Sequence, residues 1–149
     1  MMDRREILHW LMRDDGSRLE ELWHRADEVR RANVGDAVHL RGLIEISNHC
    51  RRLCAYCGLR AGNRDLMRYR MSDEEILACA HQAVEFGYGT VVLQAGEDEA
   101  LTQERVSCLI RSIKGQTPLA VTLSLGERTS EELAAWRTAG ADRYLLRFE

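Results

Sequence analysis

No stretch of the chain approaches the roughly 20 consecutive apolar residues that a membrane-crossing helix needs, and the amino terminus has no apolar core of the signal-peptide kind. No membrane role is expected, and a cytoplasmic location is. Charge of one sign is missing too: 21 basic residues against 24 acidic ones leave a net −3 with no basic run, so nucleic acid is not an expected partner. There are no repeats, low-complexity tracts or linkers, and there is one proline, Pro118. The five cysteines, an odd and clustered set, argue against a disulfide scaffold and fit a reducing compartment.

With 45% apolar residues in 149, the chain can form one domain around a real core. Its most informative feature is the trio Cys50, Cys54 and Cys57, spaced C-x3-C-x2-C directly after an apolar, strand-like run. Three thiolates held that close can chelate three corners of a cubane iron–sulfur cluster and leave the fourth iron without a protein ligand. An open iron is a place for chemistry. Two other readings stand beside this one: a structural zinc site with His49 as fourth ligand, and buried free thiols, because positions 50, 54 and 57 share one face of a helix. Adjacent Cys and His cannot easily both point at one metal, and Arg51, Arg52 and Gly58 break up any apolar stripe. Cys79 and Cys108 fall in helical patterns and read as ordinary packing or surface thiols.

Two helices are expected first, Asp3 to Met12 and Ser17 to Arg31, the second opened by a Ser17–Glu20 capping box. The run Leu40 to Ile46 suits a strand buried on both faces. A helix opened by Ser72 and Glu75 and closed by Gly87 precedes a second strand, Thr90 to Gln94. Another helix, Thr102 to Lys114, stops at Gly115 before a third strand, Leu119 to Leu125. A short helix capped by Thr129 and Glu132 and closed by Gly140 leads to a fourth strand, Tyr144 to Phe148.

This alternation implies parallel strands joined by crossover helices, as in a doubly wound sheet or a (β/α) barrel; pattern alone does not separate the two. In either, ligands gather at the C-terminal strand ends. The cysteines follow strand one there, Gln94 to Glu97 follow strand two, Ser124 and Glu127 end strand three, and Arg147 and Glu149 end strand four. Thr122, alternating with Ser124 on the same side, and Gln94 are substrate-pocket candidates. Arg51, Arg52, Arg60, Arg64, Arg68 and Arg70 surround the cysteine loop; most read as a solvated face, though their charge would help hold an anionic cluster.

The cysteine spacing, with Tyr56 directly before the last thiol, resembles the cluster loop of the radical S-adenosylmethionine (SAM) enzymes. The stretches from Glu45 to Arg60 and from Arg68 to Met71, with Val91–Asp98, Val121–Glu127 and Ala139–Arg147, resemble more narrowly the HydE maturases of [FeFe] hydrogenase, relatives of biotin synthase and methylornithine synthase. The resemblance implies the N-terminal half of a radical SAM (β/α) TIM-type barrel over residues 36–149, about four parallel strands, behind a helical extension over 1–35. A closed barrel takes about 250 residues, so the chain is expected to be part of a longer protein, with its inner sheet face and one sheet edge open to self-association.

For chemistry, the resemblance implies a [4Fe-4S] cluster on Cys50, Cys54 and Cys57 and SAM on its open iron, cleaved to a 5′-deoxyadenosyl radical in maturation of the hydrogenase active-site cluster. Tyr56 would lie along the adenine. Gly96 would admit the methionine end and Glu97 accept from its amino group, although the family's Gly-Gly-Glu stands here as Ala95, Gly96 and Glu97. Ser124, Arg147 and Glu149 would contact the ribose, carboxylate and amino groups. The implied partners are a small-molecule or small iron-complex substrate, a reducing electron donor and other hydrogenase maturation proteins. The alternatives are a biotin synthase-like or methylornithine synthase-like enzyme, or a non-catalytic iron–sulfur or zinc module.

Overall fold

The computed structural model describes residues 2–13 and 15–147, at 17 and 18 the backbone only. The chain divides into one unit ending at His39 and another beginning at Leu40.

In the first unit, α1 (Arg4–Leu11) opens on a reciprocal cap. The Asp3 carboxylate accepts from the Glu6 N–H at 2.8 Å and the Glu6 carboxylate accepts from the Asp3 N–H at 3.0 Å. Helix α2 (Gly16–Val34) begins before Ser17, which therefore lies inside the helix, and the expected Ser17 cap is corrected. It also runs past Arg31, where Arg30 and Arg31 both pair with Asp27 and Asp36 and extend the last turn.

The second unit alternates strands and helices in the expected order: β1 (Gly42–Ser47), α3 (Asp73–Glu85), β2 (Thr90–Ala95), α4 (Gln103–Gln116), β3 (Ala120–Ser124), α5 (Ser130–Ala139) and β4 (Arg143–Tyr144). Ser72 and Thr129 form capping boxes with Glu75 and Glu132, and Thr102 caps α4 alone. Gly140 closes α5 at φ 114°, a left-handed conformation that a β-carbon disfavours.

All strand pairs are parallel, and the spatial order is β1-β2-β3-β4. A doubly wound sheet reverses strand order at a switch point; this order has no reversal, and the four strands run in the sequential order of a (β/α) barrel wall. Ile44, Ile46, Val91, Leu93, Val121 and Leu123 bury against Ile76, Ala80, Val106, Leu109, Ile110, Ile113 and Trp136. The alternate residues face what would be the barrel interior: Leu43 is 60% exposed, and Gln94 and Ser124 are half-buried.

Three expectations need correction. Strand β1 is buried on one face only, because no layer covers Leu43 and Glu45. Helix α4 does not stop at Gly115 but ends at Gln116: its buried face continues to Ile113, which outweighs the roughly 1 kcal/mol a helical glycine costs. Strand β4 is Arg143–Tyr144 rather than Tyr144 to Phe148. Asp142 accepts from the Val121 N–H at 2.8 Å and starts the pairing early, the last rung is the Leu145 N–H to Leu123 carbonyl at 2.8 Å, and Phe148 lies outside the described residues. Behind the strand, Tyr144 stacks on Trp136 and donates to the Gly126 carbonyl at 2.7 Å.

Candidate active site

The loop between β1 and α3 carries the three cysteines and no helix, so the reading of them as thiols on one helical face falls. Its base is closed by hydrogen bonds. The Asn48 amide donates to the Met67 carbonyl at 2.8 Å and accepts from the Tyr69 N–H at 2.7 Å, while the Met71 N–H reaches the Ile46 carbonyl at 2.9 Å. The returning chain is anchored by Asp98, a carboxylate 1% exposed at the end of β2. Arg70 grips both its oxygens at 2.7 and 2.9 Å, and the Ser47 hydroxyl donates at 2.6 Å. Burial alone would raise the Asp98 carboxyl; Arg70, Ser47 and the Ala100 N–H reverse that and hold it at about 2.

A second network ties the segment between Cys50 and Cys54 to β2 and β3. Glu97 accepts from Arg51 at 3.3 Å, Arg52 at 2.6 Å and the Glu127 N–H at 3.2 Å; Arg51 also pairs with Glu99 at 3.1 Å, and Arg52 with Glu127. Burial opposes ionisation of Glu97, but these donors keep its carboxyl below its ordinary range. Close packing accompanies the charges. A β-carbon on Gly96 would stand 2.3 Å from the His49 carbonyl oxygen and 2.6 Å from the Cys50 Cβ, and one on Gly126, at φ 80°, would stand 2.3 Å from the Glu97 Cγ. Both positions require glycine for the loop and strand ends to meet.

A cavity of about 250 Å³ opens where these ends converge, lined among others by Cys50, Cys54, Cys57, Tyr56, Gln94, Gly96, Glu97, Ser124 and Arg147. Nine residues singled out in the sequence thus share one space. Thr122 lies lower on β3, outside that lining, its buried hydroxyl without a partner among the described residues; Glu149 lies outside them. Larger cavities, about 450 Å³ beyond Glu97 and about 620 Å³ beside Trp136, contain no thiol. Cys79 is half-buried against the core, and Cys108 is exposed beside Arg111.

The donor set suits an iron–sulfur cluster. All three thiols line the cavity from an unhelical loop, and the lack of a side chain at Gly96 lets that loop pack directly on the end of β2 beside Cys50. Among the described residues no three His, Cys, Asp or Glu side chains are already gathered around one point, so ligation would require side-chain rotation within the loop. Asn48 and Asp98 carry no role in the sequence reading, and neither does the pairing of the arginines with carboxylates and loop carbonyls. Five of the six arginines read there chiefly as a solvated face are bonded inward: Arg51, Arg52 and Arg70 to carboxylates, and Arg60 and Arg68 to loop carbonyls.

No protein-family model matches the chain. It is 48% identical to the [FeFe] hydrogenase maturase subunit HydE of Thermotoga maritima, over 99% of this chain and 44% of that protein. It is 33% identical to the biotin synthase of Magnetococcus marinus, over 90% of this chain and 43% of that one. The crystal structure of a methylornithine synthase superposes on 98% of this chain with a TM-score of 0.88 at 26% identity, using 44% of its own length. The chain thus spans less than half the length of each of these three proteins.

Proposed function

From a chain that belongs to the radical SAM superfamily, we propose the cluster- and SAM-binding part of a HydE-type enzyme, acting in maturation of the [FeFe]-hydrogenase active-site cluster in the cytoplasm. The observation that carries the reading is the single cavity that collects three loop thiols with the polar strand ends. Cys50, Cys54 and Cys57 would hold a [4Fe-4S] cluster by three irons. When bound and reduced, that cluster supplies the electron that splits the SAM sulfonium and releases a 5′-deoxyadenosyl radical.

The chain's own groups would hold the cofactor. A carboxylate has about four lone-pair positions; Arg51, Arg52 and the Glu127 N–H occupy three on Glu97, leaving one on Oε1 for the SAM amino group. Gly96 keeps the backbone approachable, and the exposed Tyr56 ring can fold over the adenine. Ser124, Arg147 and Glu149 are suited to the ribose and the amino-acid end. Gln94 and Thr122 would face a small-molecule or small iron-complex substrate, and an electron donor and other maturation proteins are the implied partners. Residues 1–35 would be a helical extension to the half-barrel at 36–149. The greater identity to HydE than to biotin synthase favours the first among sister activities.

Anaerobic reconstitution with iron and sulfide tests this. Close to four irons per chain, a brown absorbance and an electron paramagnetic resonance spectrum altered by SAM are expected. Cys54→Ala should abolish them, while Cys79→Ala and Cys108→Ala should not. Colourless protein holding one zinc, or equal loss from every cysteine substitution, would refute the reading.

A further inference from the structure

Arg68 leaves the end of the cysteine loop and turns back into it, half-buried. Its Nη1 donates to the carbonyls of Asn48 and, at 2.8 Å, Leu59; its Nη2 donates to those of Arg60 at 2.9 Å and Asn63 at 3.4 Å. Asn48 stands just before Cys50, and Leu59 and Arg60 just after Cys57. One guanidinium therefore joins both ends of the segment that contains all three thiols. Every partner is a carbonyl oxygen, unlike those of Arg51, Arg52 and Arg70, whose charges meet carboxylates.

We propose that Arg68 is the positioning residue of this loop, a fork that sets its closed shape before any metal arrives and so presents Cys50, Cys54 and Cys57 together. The second part rests on the reading of the loop as a cluster site; the first stands on the hydrogen bonds alone. A planar guanidinium with two donor pairs fits four carbonyls from two directions, and a lysine ammonium, a point charge with three donors, does not. The Cys57, Arg60, Ala61 and Asn63 amides are all bonded within the loop, so loss of the fork should appear there as local opening.

The test compares the parent chain, Arg68→Ala and Arg68→Lys, metal-free, by hydrogen exchange. Charge-assisted bonds are the stronger kind, and losing this set should speed exchange across residues 57–63 by about tenfold or more while α4 stays as protected as in the parent. Arg68→Lys should recover little of this, and added methylguanidinium should slow the loop again in Arg68→Ala, a rescue that general destabilisation would not give. In reconstituted protein, the same substitution should hasten loss of iron to a chelator by a similar factor. Loop exchange within twofold of the parent would overturn the proposal, as would simultaneous loss of α4 protection, which would make Arg68 a support of the whole fold. If the parent takes up no cluster while Arg68→Ala still frees the loop, the cluster reading fails and the ordering role stands.

Discussion

The Asp98–Arg70 pair at the base of the loop makes a quantitative prediction about pH. Asp98 is 1% exposed, whereas the Arg70 side chain is 40% exposed, so the two partners are not equivalent when one is removed. A carboxyl lowered from 3.8 to about 2 contributes about 2 kcal/mol to stability once ionised. Its folded pKa is depressed, so this contribution is present in full well above 3.8 and disappears as pH falls through about 2. Asp98→Asn, which keeps the shape, should therefore cost about 2 kcal/mol at pH 7, and the gap to the parent should close between about pH 4 and pH 2. Arg70→Ala should cost more, about 3 kcal/mol or above, because it leaves a buried carboxylate without its cation, whereas an unpaired Arg70 can turn to water. Urea unfolding of the three proteins at pH 7, 5, 3.5 and 2.5, followed by tryptophan fluorescence, measures both differences. An Asp98→Asn deficit unchanged at pH 2.5, or Arg70→Ala no worse than Asp98→Asn at pH 7, would refute the reasoning.

Gly96→Ala forces a β-carbon to within 2.3 Å of the His49 carbonyl and should cost about 1–3 kcal/mol by overpacking, with loss of iron uptake. Gly115→Ala, whose β-carbon meets open space in α4, should instead gain roughly 0.5–1 kcal/mol. Equal effects in denaturant unfolding would show that the close approach at Gly96 is not real. The Thr122 hydroxyl is buried without a partner among the described residues, so Thr122→Val should leave stability unchanged or raise it by up to about 1 kcal/mol; a loss larger than that in the same assay would mean the hydroxyl is bonded in solution.

The local rules were legible because they act over three or four residues. Ser72 with Glu75, Thr129 with Glu132 and the left-handed Gly140 mark helix ends as expected, although the same Ser–Glu spacing at Ser17 and Glu20 falls inside α2, and the C-x3-C-x2-C spacing stands out as a candidate metal or cluster loop. What escaped depends on partners far apart in sequence. Asp98 meets Ser47 across 51 positions, and Arg52 meets Glu97 across 45; with 30% of the residues charged, no pattern marks which pairs form. The same limit misjudged the electrostatics of the loop. The six arginines around the cysteines read mostly as a solvated face whose charge would help hold an anionic cluster, but Arg51 and Arg52 are matched by Glu97, Glu99 and Glu127, and Arg70 by Asp98. Arg60 and Arg68, by contrast, are directed at loop carbonyls rather than acids, and Arg147 lines the cavity that holds the thiols. Any stabilisation of an anionic cluster there would therefore come from Arg60, Arg68, Arg147 and backbone N–H groups more than from the arginines already matched by carboxylates.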